Sequence, residues 1–343
     1  MSKRRYLFYI SQNYSFEILR PLQSEIIRQG SEVHWFVAGN KINFDFFNDD
    51  EKILTNVSAV IEYNPDACFV PGNVIPSFIP GIKVQVFHGL EWKKKGHFVI
   101  RDCFDLYCTH GEVTTSRFNK LAQKHKSFDV VETGWPKLDT LFNASVIKHF
   151  ENSNPTILYA PTFSPSLTSA PILYEKIKSL SEKSHYNWLI KFHPKMADKY
   201  IADYSGISSE NLKIIDTDNI NVLLQSANML ISDTSSVIGE FSLLSKPVIT
   251  LNNSAPGEYL IDIQSADQLD DAIKLALNPT SQLKNSIQAY AEELHPYTDG
   301  RSSARILQAV ESILINGKKA PKKLPLNIIR NFKQRKKLNY WRF

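Results

Sequence analysis

Short apolar runs alternate with amphipathic stretches through the first half of the chain. Apolar runs at 6–10, 33–37, 67–70 and 83–87 predict strands, and the apolar spacing of 16–28 predicts a helix. Strands that alternate with helices pack as a parallel sheet with helices on both faces. The pattern therefore predicts a doubly wound, Rossmann-like α/β domain.

The second half of the chain repeats this rhythm. Further strands are predicted at 156–159, 188–192, 213–215, 229–231 and 247–251, with helices between them. Two doubly wound domains joined by a short linker are expected to face a cleft and to bind a ligand there, outside the carboxyl ends of the strands. Polar side chains that follow a strand are therefore the candidates for chemistry.

The same pattern sets the expected domain boundaries. An N-terminal domain at 1–142 and a C-terminal, nucleotide-binding domain at 156–300 are joined by a polar linker at 143–155. A terminal helix at 301–317 can cross back to the first domain, and a basic tail follows at 318–343. A chain of 343 residues with 43% hydrophobic content is long enough to bury two such cores.

The positive charge of the chain is concentrated in this tail. The net charge is +5, from 40 basic and 35 acidic residues, yet 318–343 holds ten basic residues and no acidic one. Leu326, Ile329 and Phe332 lie among these cations. The composition predicts a basic amphipathic segment on an anionic membrane surface, where each cation contributes about 1 kcal/mol. A solvated tail is the alternative, and the acidic remainder of the chain argues against nucleic acid.

Cysteine spacing and hydropathy bear on where the protein works. Its three cysteines, Cys68, Cys103 and Cys108, lack the spacing of a metal site and fit thiols in a reducing cytoplasm. No run reaches the roughly 18 apolar residues that a membrane span needs, and the first apolar run is too short for a secretory signal. We expect a cytoplasmic protein that is soluble or attached to a surface.

The hydroxyl-rich turn Ser232-Asp233-Thr234-Ser235-Ser236 lies between the predicted strand 229–231 and an apolar helical segment. The first amides of a helix lack partners within the helix, and the helix dipole favours an anion there. The turn therefore predicts a phosphate site that includes Asp233, Ser235 and Ser236. A simple helix cap is the alternative interpretation.

His88-Gly89 directly follows the predicted strand 83–87. A histidine with an ordinary pKa near 6.5 suits a general base that deprotonates a hydroxyl. Lys93 and Lys94, a few residues later, suit phosphate or acceptor binding as point charges. A capping histidine and a solvated lysine run are the alternative.

His193 lies between Lys191 and Lys195 after the predicted strand 188–192, and Pro194 ends that strand. This arrangement predicts a phosphate clamp, although an ordinary turn histidine remains possible. Thr162 also follows a strand and is a candidate donor ligand.

Arg301 and the hydroxyls of Ser302 and Ser303 precede the terminal helix and predict a second anion site.

Asp216-Thr217-Asp218 has the form of a metal-binding DxD, but a helix cap by Asp218 or Asn219 explains it better. The chain contains neither GxxxxGK[ST] nor GxGxxG, so neither an ATPase nor a dinucleotide enzyme is indicated.

Taken together, several short motifs resemble the CDP-glycerol glycerophosphotransferase family of teichoic-acid and capsule synthesis. The motifs follow the family's order: His88-Gly89-Leu90-Glu91-Trp92-Lys93-Lys94, Gly134-Trp135-Pro136-Lys137-Leu138-Asp139, Tyr159-Ala160-Pro161-Thr162-Phe163, His193-Pro194, Ser232-Asp233-Thr234-Ser235-Ser236 and Asp299-Gly300-Arg301. The resemblance implies a GT-B fold of two Rossmann-like domains and a peripheral place on the inner face of the cell membrane. It also implies transfer of a polyol phosphate from a CDP-polyol donor to a membrane-linked or polysaccharide acceptor, with release of CMP and without a metal or other cofactor.

The resemblance also implies residue roles. His88 would be the base on the acceptor hydroxyl, and His193, Ser235 and Ser236 would hold the donor pyrophosphate, with added charge from Arg301. Three departures from the family pattern, Leu90, Lys137 and Thr234, leave the polyol open. Lys137 is a candidate for phosphate or acceptor binding, but it lacks the bidentate fork of the usual arginine. The absence of a large N-terminal extension favours single addition over polymerisation.

Two alternatives to this function remain at the level of sequence. A GT-B glycosyltransferase that uses a CMP-activated sugar, of the sialic acid or Kdo type, shares the His-Pro and Ser-Ser motifs. His88-Gly89 stands where such enzymes carry an acidic motif, which favours phosphoryl transfer. A non-catalytic glycan-binding protein on the membrane surface is the second alternative.

Overall fold

A computed structural model describes residues 3–39, 42–90, 96–183, 185–217 and 219–341. The chain forms two compact units. Unit 1 comprises Met1–Thr140 and Leu294–Phe343, and unit 2 comprises Leu141–Glu293. Within the described ranges, no helix is both long and apolar enough to cross a bilayer.

Unit 1 is built on a seven-stranded sheet in which every strand pair is parallel. Its strands are β1 (Arg5–Ile10), β2 (Glu32–Val37), β3 (Ile53–Leu54), β4 (Ala67–Val70), β5 (Ile82–Gln85), β6 (Leu106–Thr109) and β7 (Asp129–Glu132). They lie in the order β3-β2-β1-β4-β5-β6-β7. The strand order therefore reverses between β1 and β4, which in doubly wound folds is the point where ligands bind.

Helices cover this sheet. They are α1 (Ser15–Arg28), α2 (Val57–Tyr63), α3 (Glu112–His125), α4 (Lys137–Phe142, which ends just inside unit 2), and, from the end of the chain, α11 (Ser302–Asn316) and α12 (Ile328–Lys337). The core between sheet and helices is rich in fully buried aromatic rings, among them Phe8, Trp35 and Phe69. The indole nitrogen of Trp35 donates to Gln23 Oε1 at 2.7 Å, so even this deep polar atom is paired.

Unit 2 has a six-stranded sheet, again with only parallel pairs. Its strands are β8 (Thr156–Tyr159), β9 (Asn187–Ile190), β10 (Leu212–Ile214), β11 (Met229–Ser232), β12 (Val248–Leu251) and β13 (Leu260–Ile263), in the order β10-β9-β8-β11-β12-β13. Its helices are α5 (Ala170–Glu182), α6 (Asp198–Ser205), α7 (Ile220–Ser226), α8 (Val237–Ser242), α9 (Leu269–Leu277) and α10 (Ser281–Leu294, whose last residue belongs to unit 1). Here the order reverses between β8 and β11. Two parallel-sheet α/β units confirm the predicted fold class.

The boundary between the units differs from the prediction. The predicted C-terminal domain ran to residue 300, but the chain returns to unit 1 at Leu294. His295 Nε2 accepts a hydrogen bond from the Trp135 amide at 2.9 Å, and the Tyr297 hydroxyl donates to Glu132 Oε1 at 3.2 Å. These contacts anchor the returning segment to the end of β7.

The predicted linker at 143–155 packs on unit 2. The Ile147 amide donates to Ser226 Oγ at 2.9 Å, and the Lys213 ammonium donates to the His149 carbonyl at 2.7 Å. The segment therefore belongs to the surface of unit 2.

The basic tail is folded and docks on unit 1. The Ser77 amide donates to Asn331 Oδ1 at 3.1 Å, and the ring of Tyr340 packs on Phe78 with centroids 5.3 Å apart. Arg342 and Phe343 lie outside the described residues. The opposite side of the tail leaves its large apolar side chains exposed: Leu326, Ile328, Ile329, Phe332 and Trp341.

Candidate functional site

The loops at the strand reversal of unit 2 are joined by one buried carboxylate. Asp233, which follows β11, has no exposed surface. Its Oδ1 accepts from the amides of Thr234 at 2.7 Å and Thr162 at 3.0 Å, and its Oδ2 accepts from the amide and hydroxyl of Ser169, both at 2.9 Å. Asn253, after β12, donates its side-chain amide to the Asp233 carbonyl at 2.6 Å. Loops that follow three strands are thus held together around Asp233.

This arrangement refines the predicted role of Asp233. The sequence placed it among the donor ligands, but its carboxylate points into the protein and is surrounded by donors from its own loops. A carboxylate that accepts several amide hydrogen bonds fixes loop geometry. The geometry favours a positioning role, and contact with the donor stays a prediction for the other residues of the turn.

Ser235 and Ser236 remain available to a ligand. α8 begins after Ser236, whose side chain makes no cap hydrogen bond. Neither hydroxyl is paired with another residue in the described part of the chain, and Ser236 is exposed. The alternative of a simple side-chain cap is therefore wrong, and both hydroxyls stay candidates for phosphate binding.

His193 lies beyond the end of β9, next to the same loops. Its Nδ1 accepts the Lys195 amide at 3.0 Å, and its ring packs on Phe163 with centroids 4.4 Å apart. Because Nδ1 is an acceptor, the neutral ring carries its proton on Nε2. Burial, and then the positive charges of Lys195 and Lys191, lower the pKa of His193. A neutral His193 can therefore donate from Nε2 to an anionic oxygen.

The cations beside His193 differ in their freedom. The Lys191 ammonium donates to the Phe192 carbonyl at 2.9 Å, whereas the Lys195 ammonium lies 5.7 Å from the centre of the Phe163 ring. Both keep donors for an anion, since an ammonium has three. Thr162 uses only its backbone amide on Asp233, so its hydroxyl is a further candidate ligand.

His88 lies at the strand reversal of unit 1. Strand β5 ends at Gln85, two residues earlier than predicted, because Phe87 adopts a left-handed backbone with φ of 59°. His88 is thereby turned to the surface. Its Nδ1 lies 3.2 Å from the Pro71 carbonyl after β4, and its ring stacks on Tyr14 after β1, with centroids 5.3 Å apart.

The hydrogen-bond partner sets the tautomer of His88. A carbonyl oxygen only accepts, so Nδ1 carries the proton and Nε2 has a free lone pair. No described residue pairs with that nitrogen. This is the tautomer that a general base needs.

The structure bears differently on the lysines of unit 1 that were predicted to bind phosphate or the acceptor. Lys93 and Lys94 lie outside the described residues. Lys137 forms an ion pair with Glu17 at 3.2 Å, and its ammonium is 5.6 Å from the centre of the Trp135 ring. Phosphate or acceptor binding by Lys137 would therefore compete with Glu17.

The predicted second anion site is filled by the protein itself. Asp139 accepts the amides of Ser302 and Ser303, both at 2.7 Å, and so caps the N-terminus of α11 with its carboxylate. Burial is the main influence on Asp139 and raises its pKa. The expectation of a ligand anion on Ser302 and Ser303 is therefore wrong. Arg301 itself is exposed, and its guanidinium makes no hydrogen bond to a described side chain.

The same contact explains the motif 134–139. Gly134 has φ of 79°, and a Cβ there would come within 2.5 Å of Ser302 Oγ and 2.8 Å of His295 Nε2. Only glycine fits this close approach. Two motifs separated by 163 positions, at Asp139 and Ser302, thus meet inside unit 1.

Sequence reasoning missed Tyr14, Ser169 and Asn253. Tyr14 could have been suspected, since the polar run 11–13 follows a predicted strand as the other site loops do. Ser169 lies before α5 with no recognisable motif, and its contact with Asp233 spans 64 positions.

The DxD segment behaves as a cap. Asn219 Oδ1 accepts the Asn221 amide at the start of α7, while Asp218 lies outside the described residues. Across the described ranges, no three His, Cys, Asp or Glu side chains form a group that could hold a metal ion. The expectation that no metal is required stays a prediction.

Comparison with known proteins supports the family that the motifs resemble. The sequence profile of CDP-glycerol:poly(glycerophosphate) glycerophosphotransferases matches residues 101–256. The match covers just under half of the chain and supports this family. The matched segment of this glycerophosphotransferase relative includes Lys137, Thr162, His193 and the turn 232–236, whereas His88 and Arg301 lie outside it.

Curated relatives are similar to this chain in sequence, and solved structures share its fold. The chain is 25% identical to the teichoic acid glycerol-phosphate primase of Bacillus subtilis (strain 168), over 61% of this chain and 58% of the primase. It is 29% identical to the ribitol-phosphate polymerase TarL of Staphylococcus aureus (strain NCTC 8325 / PS 47), over 53% of this chain and 37% of TarL. The chain thus spans well under two thirds of either relative. The wall teichoic acid polymerase TagF shares the fold, with a TM-score of 0.61 at 14% identity over 91% of this chain and 89% of that one.

Proposed function

We propose that this chain transfers a polyol phosphate, such as glycerol phosphate, from its CDP ester to an acceptor hydroxyl and releases CMP. The acceptor is a membrane-linked or polysaccharide chain of the cell envelope. The similarity of residues 101–256 to the glycerophosphotransferase family supports this reaction class. The relatives include a glycerol-phosphate primase and a ribitol-phosphate polymerase, so both polyols are candidate cargo.

The observation that carries the proposal is the pair of opposite tautomers. His88 has Nδ1–H directed to the Pro71 carbonyl and a free Nε2 lone pair, whereas His193 accepts at Nδ1 and keeps its proton on Nε2. The first arrangement accepts a proton and the second donates a hydrogen bond to an anion. Acceptor activation and phosphate binding need these two properties.

In the proposed step, His88 Nε2 takes the proton of the acceptor hydroxyl. The oxygen attacks the phosphorus that carries the polyol and forms a new phosphodiester bond. The bond from that phosphorus to the bridging oxygen breaks, and CMP leaves with the electron pair. His193 Nε2–H and the ammonium groups of Lys191 and Lys195 stabilise the charge on the pyrophosphate oxygens, which is the main task in phosphoryl transfer.

Other groups complete the proposed donor site. The hydroxyls of Thr162, Ser235 and Ser236 donate to phosphate oxygens, and Arg301 adds positive charge. Lys93, Lys94 and Lys137 serve the acceptor or its phosphates. The cationic and hydroxyl donors make a metal or other cofactor unnecessary.

The membrane surface is a further part of the proposal. The exposed apolar side chains of the tail, together with its cations, suit an anionic lipid surface on the cytoplasmic side. Attachment there would bring a soluble CDP-polyol to a lipid-linked acceptor. Nucleic acid is not expected as a partner.

The test is CMP release by the purified full chain with CDP-glycerol, CDP-ribitol or CMP-sialic acid. The acceptor is a lipid-linked saccharide or a short polyol-phosphate oligomer, and the buffer contains EDTA. We expect CMP from a CDP-polyol, and His88→Ala to lower kcat about 10²- to 10⁴-fold, the usual contribution of a general base. CMP from the CMP-sugar alone would support the glycosyltransferase alternative and contradict the proposal. Loss of activity in EDTA would contradict the metal-free mechanism.

A further inference from the structure

Two neighbours hold the imidazole of His88 in different directions. The Pro71 carbonyl receives the Nδ1–H bond, which acts in the plane of the ring, at 3.2 Å. The Tyr14 ring lies against the face of the imidazole, with an interplanar angle of 25° and centroids 5.3 Å apart. Tyr14 and Pro71 come from the loops after β1 and β4, on the two sides of the strand reversal.

One contact alone would leave the base poorly aimed. A single hydrogen bond lets the ring tilt about the axis from Nδ1 to the carbonyl oxygen, and Nε2 swings with it. A stacked ring opposes this tilt but does not choose the tautomer. Together the two contacts fix both the protonation pattern and the direction of the Nε2 lone pair.

The backbone before His88 is also constrained. Phe87 adopts φ of 59°, a left-handed conformation that is strained for a bulky residue and persists only where packing enforces it. Its ring is buried against His97, with centroids 5.1 Å apart, and against Phe118, at 5.2 Å. Such strain is typical of positions where a side chain must be aimed.

Hydrogen bonding within the described ranges does not account for the position of the Tyr14 side chain. Its side chain is 39% exposed, and its hydroxyl makes no hydrogen bond to any residue in the described ranges. It precedes α1 without a side-chain cap hydrogen bond. Its ring contact with His88 is the one aromatic contact of its side chain within the described ranges.

We propose that Tyr14 is a positioning residue that holds the His88 ring in the orientation required of the base. This inference rests on the proposed function. Misplacement of a catalytic group by about 1 Å can cost about 10²-fold in rate. Removal of the stack should therefore act on turnover, while donor binding, which we assign to unit 2, should be preserved.

The experiment compares three variants of the full chain in the CMP-release assay. Tyr14→Ala should lower kcat about 10- to 100-fold and leave KM for the CDP-polyol within about twofold. Tyr14→Phe keeps the stacked ring and should restore kcat to within about twofold. Tyr63→Ala is the matched control, since Tyr63 stacks on His34 with centroids 4.2 Å apart, elsewhere in unit 1. It should leave kcat unchanged.

A second measurement detects the contact between the Tyr14 and His88 rings and does not depend on enzyme activity. In protein with isotope-labelled histidine, the Hε1 signal of His88, assigned with His88→Ala, should move downfield in Tyr14→Ala as the ring current of Tyr14 is lost. Tyr14→Phe should keep the wild-type position. Thermal unfolding checks that each variant is folded.

The outcomes separate the two proposals. If the wild type is active and Tyr14→Ala is equally active, the role of Tyr14 is overturned but the proposed function is not. The same holds if Tyr14→Phe shows the same loss of turnover as Tyr14→Ala. An unmoved His88 signal in Tyr14→Ala overturns the stack. A wild type that releases CMP from no CDP-polyol overturns the proposed function itself.

Discussion

Two carboxylates occupy places where the sequence suggested sites for a ligand's phosphate. Asp233 accepts hydrogen bonds from Thr162, Ser169 and Thr234, and Asp139 caps α11. Each carboxylate is an internal anion that satisfies amides which would otherwise need a ligand or water. The loops around Asp233 are therefore ordered before any donor arrives, and the unpaired hydroxyls of Ser235 and Ser236 remain for the donor.

Asp233→Asn should destabilise unit 2. The substitution replaces an acceptor oxygen by an NH₂ group that faces amide donors, which costs about 2–3 kcal/mol at a buried site. Urea unfolding followed by fluorescence measures the change. Asp203→Asn, at an exposed carboxylate of the same unit, should change stability by less than about 0.5 kcal/mol. Equal stabilities of the two variants would show that the Asp233 hydrogen bonds contribute little.

The positions of these residues at strand and helix ends were predictable from the sequence, but the contacts of their side chains were not. Every site motif follows a strand or precedes a helix, and this placement was predictable from hydrophobic periodicity. The inward direction of Asp233 was not, because it depends on Ser169, which is 64 positions away. The pairing of Asp139 with Ser302 spans 163 positions. Such contacts leave no local pattern.

At the scale of elements, the tail shows how one helix separates two faces. Asn331 of α12 and Tyr340 just beyond it contact the loop after β4 in the same unit. Ile328, Ile329 and Phe332 of the helix are exposed. Exposed apolar side chains in a row mark an interaction surface. The docked face explains why deletion of the whole tail would be a poor test, since it would also uncover part of unit 1.

A sharper test replaces only the exposed face. The triple variant Leu326→Ser, Ile329→Ser, Phe332→Ser should bind anionic vesicles at least about tenfold more weakly than wild type, because three apolar side chains no longer enter the interface. Binding of the wild type should also weaken as salt screens the cations. Sedimentation with vesicles measures both. Ile315→Ser, at another exposed apolar side chain of unit 1, is the control. Equal sedimentation of wild type and triple variant would exclude this face as the anchor.

Element ends were the least predictable part of the fold. The predicted limits of β4 and β8 are correct to the residue, since polar or proline-containing turns bound them. β5 was predicted to reach Phe87, because Val84, Val86 and Phe87 continue the apolar run. The left-handed turn at Phe87 arises from tertiary packing, and the sequence has no glycine at this position to indicate it.

At the scale of the whole molecule, several buried histidines couple stability to pH. Burial lowers the pKa values of His97 and His295 to about 4 and lowers that of His110 well below its ordinary value. All three belong to unit 1. In the unfolded chain they titrate near pH 6.5, so between about pH 6.5 and 4 the unfolded state binds more protons than the folded state.

Unit 1 should therefore lose stability as the pH falls from about 6.5 towards 4. The stabilisation is complete above pH 6.5, and each extra proton bound by the unfolded chain removes about 1.4 kcal/mol per pH unit. Asp139, with its raised pKa, opposes this trend in part. Urea unfolding at pH 7, 6 and 5 measures the slope. His97→Phe should make it shallower, and identical slopes for variant and wild type would contradict this account.

The split composition of unit 1 has a consequence for protein synthesis. A ribosome delivers Met1–Thr140 first and then all of unit 2, before the segment from Leu294 onward emerges. Until then α1 lacks α11, and Trp135 lacks the nitrogen of His295 that accepts its amide. Unit 2 can therefore reach its native form while unit 1 still lacks the segment from Leu294 onward. During that interval the sheet of unit 1 has all its strands but lacks α11 and α12, and it is the part of the nascent chain most in need of a chaperone.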